Sequence, residues 1–445
     1  MSKGIHNSSS GSVLFYFLME ESLPITILIS ATVVAGIAAQ VLAGYLHIPS
    51  IVLLLLFGIL LGRDGLGFLV PSLLGVGLEV VVSLSVALIL FEGGLNLQLG
   101  ELKEVSSSLR NLVTLGVVIT LMGASIAAHW LSEFPWSIAF LYASLVVVTG
   151  PTVINPLLKQ IGVDKQVSTL LEGEGVFIDP IGAILAVIVL HFVLSGNVQA
   201  LILIKGLVLR LGIGGAIGIS GGWLLCQLLK QDQFFSQELK NLVVLASVWG
   251  LFSLAQVLRG ESGLVVAVVM GIVLRASNLS SEPLLRRFNE QLSILANSVL
   301  FILLAADLSI ASVFALGWGS VLTVLMLMLV VRPINILIST WNQGLKWQQQ
   351  LFLSWVAPRG IVAASLASLF AVSLTKQGIN GGDSIKALVF LTIIMTVFFQ
   401  GLTSGWVASL LNLRLTSQTN QEYLQPASDD VKTQSDGKIV SAASE

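Results

Sequence analysis

The sequence has little charge. Only 10% of its 445 residues are Asp, Glu, Lys or Arg, whereas 55% are hydrophobic and the mean hydropathy is +0.94. A soluble globular chain carries about 25% charged residues. So few charges cannot cover a water-facing surface around this much apolar sequence, and most of the surface must therefore face lipid. The sequence predicts an integral membrane protein, with membrane lipid as one of its partners.

Cysteine and an excess of basic charge are also missing. The single cysteine, Cys226, excludes an internal disulfide and a cysteine-rich metal site. The formal net charge of −2 provides no basic face for phosphates, so we expect no nucleic acid partner. The sequence contains no His-Glu-x-x-His motif and places no Ser/His pair at membrane depth, so we expect neither an enzyme nor a cofactor.

Long hydrophobic runs, by contrast, fill the chain. A helix needs about 20 apolar residues to cross the hydrocarbon core, and by that measure the sequence predicts thirteen spans. They lie at about 22–46, 49–62, 73–95, 110–132, 137–157, 167–195, 201–229, 239–258, 262–275, 291–310, 317–341, 350–373 and 386–411. We expect an N-terminal segment over 1–21, an all-α transmembrane domain over 22–411 and a disordered cytoplasmic tail over 412–445.

Lys and Arg residues are unevenly divided between the two sides of the predicted spans. Six lie on the side of the N-terminus and thirteen lie on the side of the C-terminus. Short loops rich in Lys and Arg stay in the cytoplasm. We therefore expect a multi-pass protein of the cell membrane, the inner membrane of a bacterium, with the N-terminus outside and the C-terminus in the cytoplasm.

An internal repeat appears when the sequence is shifted on itself by 213 residues. The shift aligns two pairs of segments at once, 51–63 with 264–276 and 88–97 with 301–310. Within the first pair, Gly58 falls on Gly271. Apolar segments match easily by chance, but here one shift aligns both pairs and equals seven predicted spans.

A shift by an odd number of spans reverses the direction of the chain across the membrane. The sequence therefore predicts inverted repeats over about 22–195 and 239–411, joined by a linker helix at about 201–229. Inverted repeats with broken helices that cross near the midplane are typical of secondary transporters. The predicted partners, spans five and twelve, are both interrupted, by Thr149-Gly150-Pro151 and by Pro358-Arg359-Gly360.

Few ionisable residues lie at membrane depth, where charge is costly and usually functional. They include Glu92, Glu172, Glu174, Asp179, Asp307, Arg332 and Arg359. Asp179 falls in the middle of span six, with Pro180 behind it. A carboxylate at this depth must bind a proton, a cation or a fixed positive partner.

Spacing suggests which of these charges pair. Glu174 and Asp179 are five residues apart, about 140° around a helix axis, so they cannot easily share one ligand. Arg359 is permanently charged and needs a buried counter-ion. We predict that Glu174 is that partner, which leaves Asp179 free to titrate. A salt bridge from Asp179 to Arg332 is the alternative, and for Glu92 a structural role and a transport role both stay open.

Several motifs together resemble the sodium/proton antiporters of the cation:proton antiporter superfamily, most closely the NhaP-like bacterial branch. They are Phe91-Glu92-Gly93-Gly94-Leu95, Thr149-Gly150-Pro151, Glu172-Gly173-Glu174 followed by Asp179-Pro180, Arg332-Pro333 and Arg359-Gly360. The resemblance covers spans two to thirteen. It implies crossed discontinuous helices, a homodimer and an aspartate that binds cation and proton alternately.

The resemblance also implies roles for individual residues. Asp179 looks like the transport aspartate and the ligand of the transported sodium ion, and Thr149 looks like the polar group on the crossing helix. Glu174 and Arg359 look like a structural ion pair. Gly150, Pro151, Pro358 and Gly360 mark the broken helices. This chain has Ile178, Gly150 and Gly175 where the family commonly has Asn, Asp and Ser.

The expected function is exchange of a monovalent cation for a proton by alternating access at Asp179. Sodium is favoured, and lithium and potassium stay open. Because Asp179 is the one carboxylate at the midplane left free to titrate, we expect one cation per proton and no net charge movement. A sodium-coupled organic anion symporter on a related fold is the main alternative, and a channel or a non-transporting sensor is less favoured.

Overall fold

The computed structural model describes residues 9–46, 48–97, 99–195, 200–230, 236–277 and 282–414. Within these ranges the chain forms helices and no β-strand. Nine helices in the described part are long and apolar enough to cross a membrane, and four shorter apolar helices accompany them. Each of the thirteen predicted segments overlaps one of these helices. Most of the predicted tail, residues 415–445, lies outside the described residues.

Fifteen helices, α1 to α15 in chain order, form the two halves of the described structure and the linker between them. The first half contains α1 (Ser9–Leu46), α2 (Ser50–Leu61), α3 (Val76–Asn96), α4 (Ser106–Leu131), α5 (Trp136–Val146), α6 (Pro151–Ile161) and α7 (Lys165–Ser195). Helix α8 (Ala200–Leu229) follows as the linker. The second half contains α9 (Gln237–Leu258), α10 (Ser262–Ala276), α11 (Glu282–Ala306), α12 (Gly317–Ser339), α13 (Trp347–Trp355), α14 (Ile361–Lys376) and α15 (Gly382–Leu410).

Two of the predicted spans are interrupted helices. Span five consists of α5 and α6 with a non-helical segment at 147–150, and span twelve consists of α13 and α14 with a non-helical segment at 356–360. A residue that precedes proline disfavours the α conformation. Gly150 precedes Pro151 and is extended, with φ −77° and ψ 124°. Pro358 lies inside the second break, and Gly360 is extended at the start of α14.

Two close glycine contacts agree with the predicted inverted repeat. A Cβ atom added to Gly58 of α2 would lie 2.6 Å from the Ala305 Cβ of α11. A Cβ atom added to Gly271 of α10 would lie 2.3 Å from the Phe91 carbonyl oxygen of α3. Helix α2 therefore packs on α11 as α10 packs on α3, which is the arrangement that exchange of the two halves requires.

Short π-helical turns occur at matching places in the two halves. One covers Leu112–Gly116 in α4, and another covers Leu327–Val331 in α12, the partner of α4 under the predicted repeat. A third covers Thr396–Gly401 in α15. Such turns are rare and often lie at functional sites. The second ends directly before Arg332, and the third lies beside the break of span twelve.

Candidate functional site

Asp179 lies in the middle of α7 and is completely buried, with 0% of its surface exposed. Neither carboxylate oxygen has a hydrogen-bond partner in the described part of the chain. A bare buried charge would cost several kcal/mol, so this group must take up a proton or a cation. The alternative salt bridge from Asp179 to Arg332 is wrong, because Arg332 is held elsewhere.

Thr149 lies in the break of span five, next to the turn of α7 that carries Asp179. The Thr149 hydroxyl is buried and has no partner among the described residues. Gly182, three residues after Asp179, contacts the neighbouring Val148: an added Cβ would lie 2.5 Å from the Val148 Cγ2. Residues three apart share a helix face. The fold thus packs the broken backbone against the face of α7 that carries Asp179.

Both broken spans begin a new helix at their interruption. Helix α6 starts at Pro151 after Gly150, and α14 starts at Ile361 after Gly360. The first turn of a helix carries a positive partial charge, and the last turn carries a negative one. The breaks therefore place positive helix N-termini and negative helix C-termini inside the protein. In secondary transporters, such ends of discontinuous helices bind ions.

Glu174 forms its ion pair with Arg332, not with Arg359 as the spacing predicted. The Arg332 Nη1 contacts the Glu174 Oε1, and Nη2 donates to Oε2 at 2.8 Å. Both side chains are buried, with 1% and 3% exposed. The Arg332 Nε also donates to the Leu353 carbonyl of α13 at 3.2 Å. Arg332 thus ties α12 to α7 and to the first half of span twelve.

Arg359 instead joins the two breaks through backbone groups. Its Nη1 donates to the carbonyl oxygens of Val147 and Val148 at 3.3 and 3.5 Å. These carbonyls follow the last turn of α5, where helical hydrogen bonding ends and a cation is favoured. The predicted direct pair with Glu174 is therefore corrected: the Arg359 guanidinium donates to the carbonyl groups that follow α5.

Helix α15 supports the break of span twelve with polar side chains that the sequence analysis missed. The Thr396 hydroxyl accepts from the Arg359 backbone N–H, and the Gln400 side-chain oxygen accepts from the Ala357 N–H, both at 3.2 Å. Thr392 contacts the Tyr142 hydroxyl of α5 at 2.9 Å. The four-residue spacing of these polar residues in an otherwise apolar span was the available signal.

Two cavities flank the crossing. A cavity of about 420 Å³, the α6 cavity, is lined by Glu92 of α3 and Asn155 of α6. A cavity of about 640 Å³, the α14 cavity, is lined by Glu79 of α3 and Ser365 of α14. Because Glu79 and Glu92 lie near opposite ends of α3, the two cavities lie toward opposite sides of the membrane.

The other charged or unusual positions fall around this centre. Glu92 accepts a hydrogen bond from the Asn96 side chain at 2.9 Å on the wall of the α6 cavity. Asp307 pairs with Lys386 at 2.5 Å on the wall of the α14 cavity. Ile178 is buried in an apolar cluster with Val117 and Val147. An apolar side chain thus fills the place next to Asp179.

The interrupted helices and the buried carboxylate on the neighbouring α7 define the class of the molecule: a multi-pass membrane transporter. A family model described as "Sodium/hydrogen exchanger, transmembrane" matches residues 28–410. The chain therefore belongs to the sodium/hydrogen exchanger family, which confirms the membership that the motifs predicted. This is a family of transporters, not of enzymes.

Individual relatives agree with this assignment. The chain is 25% identical over 409 residues to the Na(+)/H(+) antiporter ApNhaP of Aphanothece halophytica, covering 87% of this chain and 74% of that protein. It is 28% identical to the low-affinity Na(+)/H(+) antiporter NhaS1 of Synechocystis sp., covering 86% and 73%. It is 24% identical to the K(+)/H(+) antiporter NhaP2 of a Shewanella species, covering 83% and 64%.

A solved structure shares the fold. The sodium proton antiporter MjNhaP1 from Methanocaldococcus jannaschii at pH 8 superposes with a TM-score of 0.78. The sequence identity is 20%, and the match covers 88% of this chain and 99% of that chain. At this identity the likeness establishes the fold.

Proposed function

We propose that this protein exchanges a monovalent cation for a proton by alternating access at Asp179. The observation that carries the proposal is the completely buried Asp179 carboxylate, whose two oxygens have no partner in the described structure. Two relatives are named as Na(+)/H(+) antiporters and one as a K(+)/H(+) antiporter. Sodium is therefore the first candidate for the cation, with lithium and potassium behind it.

The oxygen ligands at the crossing suit such a cation. The Asp179 carboxylate binds either a proton or a cation, and the Thr149 hydroxyl supplies a neutral oxygen nearby. Unwound backbone and helix ends of discontinuous helices coordinate sodium and protons in secondary transporters. In this proposal Glu174 with Arg332, and Arg359 with the end of α5, hold the crossing in place. Gly150, Pro151, Pro358 and Gly360 keep both breaks open.

The charge count favours a stoichiometry of one cation per proton. Glu174 is neutralised by Arg332, so Asp179 is the carboxylate that changes its ligand. The carrier loaded with a proton and the carrier loaded with a monovalent cation then have the same charge. Exchange is electroneutral in this proposal, and transport is indifferent to the membrane potential.

Membrane placement follows the distribution of Lys and Arg. We place the chain in a bacterial inner membrane, with its N-terminus outside and its C-terminus in the cytoplasm. The transmembrane domain covers about 22–411, with repeats at about 22–195 and 239–411 joined by α8. The resemblance adds a homodimer, which native mass spectrometry of the detergent-purified protein tests directly.

The experiment is a proteoliposome exchange assay with sodium, lithium and potassium in turn, in which an internal pH dye reports proton movement. Asp179→Asn should abolish exchange while the protein still elutes as a folded species, because an amide cannot release a proton. Glu133→Gln, in the exposed loop between α4 and α5, is the matched control and should exchange normally. Cation-driven proton movement in Asp179→Asn would remove Asp179 from the mechanism.

Two further outcomes separate the alternatives. Sodium-driven accumulation of radiolabelled organic acids in the same vesicles would favour the symporter. A strong effect of an imposed membrane potential on sodium exchange would mean that a second carboxylate, most plausibly Glu92, carries charge as well.

A further inference from the structure

The α6 cavity contains an unusual set of oxygen atoms. Its wall includes the polar side chains Gln40, Glu92, Asn155, Glu290, Ser293 and Asn297. No Lys or Arg is among its lining residues in the described part of the chain, and neither are Asp179 and Thr149. This cavity is therefore acidic and distinct from the central carboxylate.

Three of its oxygens lack hydrogen-bond partners among the described residues. They are the Ser293 hydroxyl and the side-chain carbonyl oxygens of Asn155 and Asn297. Ser293 is 1% exposed and therefore lies behind the surface of the cavity wall. Leaving a buried polar group unpaired costs about 1–3 kcal/mol. All three belong to residues that line one cavity, so a small species bound in its wall is placed to pair with them.

The polar residues of α11 near this cavity are regularly spaced along the helix. Asn289, Ser293 and Asn297 follow each other at four-residue intervals, so they lie along one face of α11. The Asn289 side-chain oxygen also lacks a partner in the described structure. A row of oxygens therefore runs along α11 from its first turns toward the middle of the membrane.

The chemistry of this set selects a hard cation. All of the donors are oxygens, and carbonyl and carboxylate oxygens suit alkali and alkaline-earth ions, not transition metals. Glu92 and Glu290 are the two carboxylates in its described lining, and they do not form the dense carboxylate cluster on which divalent sites depend. A monovalent ion with few charged ligands fits this composition best.

The α6 cavity also adjoins the central site through α6. Asn155 lies one turn after Pro151, where α6 begins, and Thr149 lies just before that turn. We propose that the α6 cavity is a second alkali-cation site, held by Asn155, Ser293 and Asn297 beside the side chains of Glu92 and Glu290. The ion waits there before it passes to Asp179. This role rests on the proposed function, whereas the binding itself can be tested without transport.

The test is equilibrium binding of radioactive sodium to purified protein by scintillation proximity. In Asp179→Asn the central site is removed, and we expect a saturable component of sodium binding to remain. Adding Asn297→Leu or Ser293→Ala should raise the half-saturating sodium concentration about tenfold or more, a usual size for losing a group that supports a bound metal. Adding Ser373→Ala should change nothing, because that hydroxyl donates within its own helix, to the Leu369 carbonyl.

The variant Asn297→Asp should change sodium affinity in the opposite direction. Replacing the amide by a carboxylate of the same shape should lower the half-saturating sodium concentration, an effect that a merely structural asparagine would not produce. This variant also keeps the test decisive if Asn297→Leu fails to fold.

The outcomes separate this inference from the proposed function. If Asp179→Asn loses exchange and also shows no saturable sodium binding, the α6 cavity holds water only and the inference is overturned. The same holds if Asn297→Asp and Ser293→Ala bind sodium like the parent. If Asp179→Asn continues to exchange, the proposed function fails, whatever the binding result for the cavity.

Discussion

Two carboxylates on one helix have opposite surroundings in this protein. Glu174 is held by both Nη atoms of Arg332, whereas Asp179, less than two turns further along α7, has no partner in the described structure. A carboxylate with a fixed counter-ion stabilises the fold, whereas a buried carboxylate without one is available for a proton or a cation. In the proposed mechanism, these two neighbouring residues of α7 therefore have different roles, one structural and one in transport.

The corrected ion pair leads to a prediction about stability. Removing one partner of a buried pair costs about 3–5 kcal/mol, because the other charge is left uncompensated. Glu174→Gln and Arg332→Ala should each lower the thermal unfolding temperature in detergent, and the double variant should lose much less than the sum of the two. The combination of Glu174→Gln with Arg359→Ala should be closer to additive. Stronger coupling of Glu174 to Arg359 than to Arg332 would contradict the structure.

The sequence identified Asp179 because a carboxylate inside a long apolar run is conspicuous. It could not identify the partner of Glu174, because Arg332 and Arg359 are both deeply placed arginines and spacing along the chain contains no distance between helices. The carbonyl groups that hold Arg359 belong to Val147 and Val148, whose side chains give no hint of this role. Backbone carbonyl groups that accept hydrogen bonds at a helix end can be identified only from the structure of the break.

At the scale of elements, the break of span twelve depends on α15. Unpaired N–H groups inside a membrane protein are costly, and the Thr396 and Gln400 side chains pair two of them. The break is thus maintained by a neighbouring helix, and its own glycine and proline only make it possible.

Thr396→Val and Gln400→Leu should each loosen the segment at 356–360. Each leaves one buried N–H without a partner, which costs about 1–3 kcal/mol. Hydrogen exchange followed by mass spectrometry should show faster exchange of this segment, together with slower transport. Ser409→Ala, whose exposed hydroxyl donates to Gly405 in its own helix, serves as the control. If hydrogen exchange at 356–360 is unchanged in both variants, α15 does not support the break.

The two glycine crossings give a second prediction at this scale. Gly58→Ala and Gly271→Ala would each place a Cβ within 2.6 Å of the facing helix, so both should lower stability by a similar amount. Gly215→Ala in α8 has no atom within 4 Å of the added Cβ and should be neutral or stabilising. Detergent unfolding temperatures measure all three. Tolerance of alanine at only one of the two crossings would argue against their equivalence.

The thirteen segments could be predicted from the lengths of the hydrophobic runs. Their repeat could be predicted from a single shift of the sequence on itself. The π-helical turns could not be predicted from the sequence. The residues at 327–331, for example, are ordinary apolar helix formers, and whether they form an α-helical or a wider π-helical turn depends on the packing around them. The breaks were predicted because glycine and proline change the backbone directly.

At the scale of the whole molecule, the two cavities are related by the same inverted repeat. Residues 78–86 of α3 line the α14 cavity, and residues 290–301 of α11, close to their counterparts under the shift of 213, line the α6 cavity. Helices α6 and α14, the second halves of the two broken spans, likewise exchange places. The molecule thus has one equivalent cavity on each side of the crossing.

Thiol labelling can test this arrangement. In a Cys226→Ala background, Gln160→Cys at the α6 cavity and Thr375→Cys at the α14 cavity should react with a membrane-impermeant reagent from opposite faces of oriented vesicles. By the proposed topology, Gln160→Cys reacts from the cytoplasmic face. Reaction of both from one face would contradict the inverted arrangement, and reversal of both faces would reverse the topology alone.

The ion pair of Glu174 with Arg332 has a consequence for the sodium gradient that the cell can maintain. If only one group changes its ligand and no net charge crosses, the protein stops working when the cation ratio across the membrane equals the proton ratio. One pH unit then sustains a tenfold cation gradient, worth about 1.4 kcal/mol, whatever the voltage. A bidentate arginine deep in the scaffold would in this way determine how steep a sodium gradient the cell can maintain.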